Sequence, residues 1–135
     1  MRYVVTDARP VTLGKLDEAL KSVDSNYAVK NGELYDGTEL FAKLDIDCPP
    51  VDEEMEELLE DAEDAGGDAR DMVLKVLRDS TAVLAVRVLW QGREAEPTLQ
   101  RIDPLWEWLY TNRSGLMQAD GEGYYDSTGL VLAVS

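Results

Sequence analysis

Two pairs of matching stretches constrain this chain more than any other feature. Thr12-Leu13-Gly14-Lys15-Leu16-Asp17 matches Thr98-Leu99-Gln100-Arg101-Ile102-Asp103 in residue type at five of six places. Asn31-Gly32-Glu33-Leu34-Tyr35-Asp36-Gly37-Thr38-Glu39-Leu40 matches Asp120-Gly121-Glu122-Gly123-Tyr124-Tyr125-Asp126-Ser127-Thr128-Gly129-Leu130 with one residue inserted. Both pairs run in the same order at similar spacing. Each signal alone is common, since T-L-x-K-L-D suits a helix start and N-G or D-G suits a hairpin turn. Their collinearity predicts an internal duplication.

The first copy reads strand, helix, strand, strand. Arg2–Thr6 is rich in β-branched and aromatic residues. Thr12 suits a helix N-cap, and Leu13, Leu16, Leu20 and Val23 follow at helical spacing. Tyr27–Val29 opens a hairpin through Asn31-Gly32, with Glu33–Tyr35 returning. In the strand Leu40–Asp47, Leu44 and Ile46 alternate with Lys43, Asp45 and Asp47. The second copy begins with Thr81–Trp90, an apolar run suited to a central strand, and turns at Gln91-Gly92-Arg93. Pro104 interrupts its helical stretch, so the spacing predicts a short turn over 98–102, with Asp103 as N-cap and Pro104 at the first helical position. Strands follow at Leu116–Ala119 and Leu130–Val134, with Asp120–Asp126 as a turn-rich connection.

Between the copies, residues 52–64 hold nine acids and no base. Asp52 is positioned to cap a helix running to Ala65, which would dock through Met55, Leu58, Leu59 and Ala62. Gly66-Gly67 stops it. Asp68 would cap a second helix carrying Met72, Val73, Val76 and Leu77 inward. The fold expected is α+β in one domain over 1–135: a βαββ-like unit (1–48), an acidic two-helix insert (49–80) and a second βαββ-like unit (81–135). One mostly antiparallel sheet, with helices on one face, would join them, ferredoxin-like by analogy.

The charge is unevenly placed. The chain's net −15 divides into −1 over residues 1–44, −11 over 45–79 and −3 over 80–135. A source-wide salt adaptation would spread acid over every exposed face, so the distribution favours a local anionic face. Such a face attracts cations and basic proteins and repels nucleic acid. No apolar run is long enough to span a bilayer and no secretory pattern opens the chain, so the expected location is cytoplasmic. With no histidine, and only Cys48 as thiol, Ser-His-Asp and Cys-His nucleophile schemes are excluded. Beside Pro49-Pro50, with no basic cluster, Cys48 reads as an inert thiol.

The function expected from these features is non-enzymatic. An anionic helix would present Glu53, Glu56, Glu57, Glu60, Asp61 and Asp64 to a basic partner surface, as inhibitors, immunity proteins and nucleic-acid mimics do, with Trp108 as a partly exposed anchor beside a core Trp106. Neither direct nucleic-acid binding nor membrane insertion is expected, and no cofactor. The alternative is a small-ligand or metal-binding domain, or an enzyme, using the turn loops: Glu33, Tyr35 and Asp36 in the first copy, Asp120, Glu122 and Asp126 in the second. The last three could hold a hard cation, though the loop lacks the EF-hand spacing. A further alternative is a housekeeping domain whose acid serves solubility.

Overall fold

The computed structural model describes residues 1–90 and 92–134. It has four helices and one eight-stranded sheet. The elements in chain order are β1 (Arg2–Val5), α1 (Leu13–Val23), β2 (Tyr27–Lys30), β3 (Glu33–Asp36), β4 (Glu39–Asp47), α2 (Asp52–Asp64), α3 (Arg70–Arg78), β5 (Ala82–Val88), α4 (Ala95–Asn112), β6 (Gly115–Ala119), β7 (Gly123–Asp126) and β8 (Gly129–Ala133). The fold is thus mixed α+β. Every strand pair is antiparallel, and the sheet order is β2-β3-β4-β5-β1-β6-β7-β8.

The sheet is covered on both faces. Successive side chains of a strand point to opposite sides, and β1 shows the consequence. Tyr3 and Val5 join a core with Leu16 and Leu20 of α1 and Ile102, Leu105, Trp106 and Leu109 of α4. Val4 joins a second core with Leu58 and Ala62 of α2 and Val73, Leu74 and Leu77 of α3, closed by Leu116, Tyr124 and Leu132. α2 and α3 therefore lie across the sheet from α1 and α4.

The matched hairpin stretches have the same local geometry. In β3–β4, Leu34 pairs with Ala42 and Tyr35 with Leu40, stepping over Phe41. In β7–β8, Tyr124 pairs with Leu132 and Tyr125 with Leu130, stepping over Val131. The Leu44 N–H donates to the Gly32 carbonyl at 2.7 Å, as the Val134 N–H does to that of Glu122 at 3.0 Å. Glu122 thus takes the place of Gly32, not of Glu33, because the inserted residue sits in the β6–β7 turn. Gly123, in Glu33's place, must be glycine: a Cβ there would lie 2.0 Å from the Leu132 carbonyl oxygen. β7 itself is a strand in what the sequence presents as a turn-rich connection. Two adjacent tyrosines between Gly123 and Asp126 give too short a pattern to show alternation.

The other matched pair diverges. Thr12 caps α1, accepting the Lys15 N–H at 3.1 Å. Thr98 lies inside α4, donating its hydroxyl to the Glu94 carbonyl at 2.8 Å. The expected break before Asp103 is absent, and α4 runs unbroken through Pro104. The reason is the buried stripe Thr98, Ile102, Leu105, Trp106 and Leu109, which continues on one face across the proline. A mid-helix proline costs about 3 kcal/mol, while burying large apolar side chains returns about 1.5–3 kcal/mol each. The strand order diverges too. The first meander, β2–β3–β4, meets the centre through its last strand, whereas the second, β6–β7–β8, meets it through its first.

Smaller expectations also fail locally. Val51, not Asp52, precedes α2, and no side chain caps it; Asp52 lies in the first turn. α3 starts at Arg70, without a side-chain cap from Asp68. Met72 is 42% exposed, because the inward stripe is Val73, Leu74 and Leu77. Val23 ends α1 beyond the sheet's cover and is 63% exposed. In the turn after β5, Gln91 lies outside the described residues.

Pro104→Ala restores an N–H to an unbroken helix. It is expected to stabilise the fold by about 2 kcal/mol, read as a higher urea midpoint at unchanged slope. A loss of stability would show that the helix is built around the proline's kink.

Candidate functional site

Two surfaces carry the sequence-selected residues. The first is the outer face of α2. Glu53, Glu56, Glu57, Glu60, Asp61 and Asp64 are all exposed. Among the described residues, the only α2 acids with a cation within 4 Å are Glu54, at 2.7 Å from Arg2 Nε, and Glu63, at 3.6 Å from Arg78. Asp52, Glu53 and Glu54 occupy the first turn, where the helix dipole favours anions. Glu63 and Asp64 sit in the last turn, where it opposes them and no base is present. The helix therefore retains self-repulsion that its own fold does not neutralise.

The second surface is a groove across the sheet on the α2 side. α2 and α3 cover only part of that face, which leaves the β2–β5 part open. Leu44 and Val86 point into the first core, so Lys43 and Arg87 point out of it. Cross-strand pairing puts Lys30, Glu33, Lys43 and Arg87 in one row. Lys30, Lys43 and Arg87 are exposed and have no ion-pair partner among the described residues. One groove segment, of about 560 Å³, is lined by Asn31, Glu33, Lys43, Asp45, Ala85 and Arg87. The next, of about 520 Å³, shares Ala85 and Arg87 and continues to Arg2, Trp90, Asp120 and Glu122. The fold thus places the Glu33 turn and the Asp120–Glu122 turn on two adjoining pockets that meet at Ala85 and Arg87, the second wrapping past Val86, Val88 and Leu99 at the sheet's rim, which no spacing in the sequence reveals.

Arg2 organises the far end. It donates to Glu54 Oε1 at 2.7 Å, Asp120 Oδ1 at 2.9 Å and Gln118 Oε1 at 3.0 Å. Burial disfavours the Asp120 carboxylate, yet Gln118, the N-terminal ammonium and Arg2 together hold its pKa below the ordinary value. The remaining loop residues are separately engaged. Tyr125 donates to Glu122 at 3.1 Å, Tyr35 reaches Glu33 at 3.5 Å, and Asp126 accepts from the Thr128 N–H at 2.8 Å. Asp36 lies 3.6 Å from Arg101. Asp120, Glu122 and Asp126 are therefore turned to different partners, and no group of three or more metal-ligating side chains converges among the described residues.

The tryptophans divide by environment. Trp106 is in the first core. Trp108 is half-buried, with the Arg113 guanidinium 5.1 Å from its ring centre. The most exposed tryptophan is Trp90, at 44%, on the groove wall, and its position at the end of an apolar run marks it only as strand. Among the described residues, no helix is long and apolar enough to cross a membrane. Comparison with protein-family models, curated proteins and solved structures found no match.

Near the N-terminus of α2, burial and then the charges of Asp45 and Glu54 push the Asp47 carboxyl above its ordinary pKa. A carboxyl whose folded pKa is raised destabilises the fold above that pKa, and the penalty vanishes once both states are protonated. Asp47→Asn is therefore expected to raise Tm at pH 7, with the gain shrinking as pH falls through the raised folded pKa and gone below about pH 4, where the unfolded chain is protonated too. An equal gain at pH 3 would remove the electrostatic cause.

Proposed function

We propose that this protein is a non-enzymatic binding domain that presents α2 to a basic protein surface. The observation that carries the reading is the unneutralised outer face of α2. Six exposed carboxylates on one helix there lack cations within 4 Å among the described residues, whereas Glu39, at the β3–β4 turn, is met by both Arg93 and Arg101. A partner's lysines and arginines would supply the missing counter-charge, speed encounter and select against acidic surfaces. The same face repels phosphate backbones, so the partner class is protein and not nucleic acid. Trp108, covered by Arg113, contributes less to such a contact than a free ring would, and the carboxylates dominate it.

The architecture supports this reading in a finer form. The central strands β4-β5-β1-β6, with α1 and α4 on one face, follow a ferredoxin-like order. On that view the chain consists of two related units, β2–β3 and β7–β8 extend the sheet, and α2–α3 is an insert between the units. The common register of the two meanders favours duplication. Their opposite attachment to the centre requires rearrangement after it.

The test is Glu56→Lys, Glu57→Lys, Glu60→Lys and Asp61→Lys combined, with the fold checked by circular dichroism. Wild-type protein on a support is expected to retain a basic protein that elutes as salt rises. The reversed variant is expected to recover less than about a tenth of it. Equal recovery of the same protein by the variant would end the proposal.

A second reading has its own observation: Lys43 and Arg87 face the groove without partners. Under it, the domain binds a small anionic ligand there. A thermal-shift screen of anionic metabolites and divalent cations is expected to give a rise that Arg87→Ala removes. A flat response to all of them would leave only the protein-binding reading.

A further inference from the structure

The two edges of the sheet are treated differently. An edge strand exposes a row of unpaired N–H and C=O groups, and folds commonly blunt it with charge, proline or a covering element. At the β2 edge, α1 packs alongside, and the Val29 N–H donates to Asp17 Oδ1 at 2.8 Å. That hydrogen bond is the main reason the Asp17 carboxyl sits below its ordinary pKa. Lys30 adds a charge at the end of the strand.

The β8 edge has none of these devices. Residues 127–134 contain no Asp, Glu, Lys, Arg or Pro. The strand reads Gly129-Leu130-Val131-Leu132-Ala133 and is the terminal strand of the sheet order. Leu132 points into the second core, but Leu130 is 52% exposed and Ala133 is exposed. The register shift with β7 falls between Tyr124 and Tyr125, leaving Val131 without a counterpart there. By composition this strand belongs in the middle of a sheet.

We propose that β8 is a homodimerisation edge, where two copies pair β8 against β8, antiparallel about a twofold axis, joining two eight-stranded sheets into one. Three observations select a second copy as the occupant. A strand related to itself by a twofold is antiparallel to itself, which matches every other pairing in this sheet. The strand is apolar, so its own sequence supplies matching side chains across the junction. And a chain of net −15 repels its like, so copies must meet where carboxylates are sparse: residues 127–134 carry none, and the acids flanking this edge, Asp61, Asp64 and Glu122, gather at its Ala133–Val134 end. The pairing is made by the backbone of β8, although α2 supplies Asp61 and Asp64 to its flank.

The test is mass in solution, by light scattering and sedimentation over about 5 to 500 µM. Wild-type protein is expected to rise from 15.0 kDa toward twice that mass. Because screening reduces repulsion between the copies, dimer should increase from about 0.05 to 0.5 M salt, whereas a contact made by α2 would weaken. Leu130→Lys with Ala133→Lys changes two exposed positions and reduces the repulsion between copies, yet it should hold the chain at monomer mass throughout. Amide exchange over residues 129–134 should slow at least about tenfold with dimerisation, while residues 27–30 stay unchanged. A wild-type chain monomeric at every concentration overturns the proposal. So does a double variant that dimerises as well as wild type, or a dimer with unprotected 129–134 amides. The α2 charge reversal removes Asp61 from the flank of this edge and should not weaken the dimer; amide protection at 129–134 reports the edge, and retention of a basic protein reports α2, so either surface can fail without the other.

Discussion

The structure depends on one short strand being buried from both sides. β1 is four residues long, yet it lies between β5 and β6 and supplies side chains to both cores. Val4 and Val5 are almost inaccessible to solvent, and so is Tyr3, whose hydroxyl donates to the Arg113 carbonyl at 2.9 Å. Burial, with lesser effects from Tyr110 and Asp7, pushes the Tyr3 hydroxyl well above the usual tyrosine range, so it stays a neutral donor there. Arg2, next to it, ties the strand to α2 and to the β6–β7 turn. Every layer of the molecule therefore meets at residues 2–5, and within the sheet the two meanders are joined through β1 and its partner β5.

The two helix pairs divide the remaining work. α1 and α4 cover one face, centred on the strands nearest β2. α2 and α3 cover the other, centred on β1 and β6–β8. This offset leaves the β2–β5 part of the second face open, and there the outward side chains are Lys30, Glu33, Lys43, Asp45 and Arg87. An antiparallel sheet tolerates such a half-solvated face. The same face thus carries an anionic helix on one side and unpaired cations on the other, in a chain whose total charge suggests only acid.

Paired charges also hold the periphery in place. Glu39 accepts from Arg93 at 2.9 Å and from Arg101 at 2.8 Å, which fastens the β3–β4 turn to α4. Arg101 lies 5.9 Å from the centre of the Phe41 ring, so its charge also lies over the edge of the first core. Asp120, paired with Arg2 and the N-terminal ammonium, likewise ties the β6–β7 turn to β1. What sets α2 apart is density: nine acids and no base in thirteen consecutive residues.

What the sequence by itself determined is local. Asn31-Gly32 set a hairpin because Asn31 and Gly32 both take positive φ, as the tight turn requires. Thr12 set the start of α1, and the alternation of Leu44 and Ile46 with Lys43 and Asp45 set which face of β4 is buried. These signals act within a few residues, where turn chemistry and periodicity dominate. Tertiary structure decided which strands become neighbours, that α4 passes through Pro104, and that the Glu33 and Glu122 turns lie on adjoining pockets. Those outcomes are set by burial between residues distant in the chain, as when Ile102 and Leu109 meet Tyr3 and Leu84, and no short window of sequence encodes that packing.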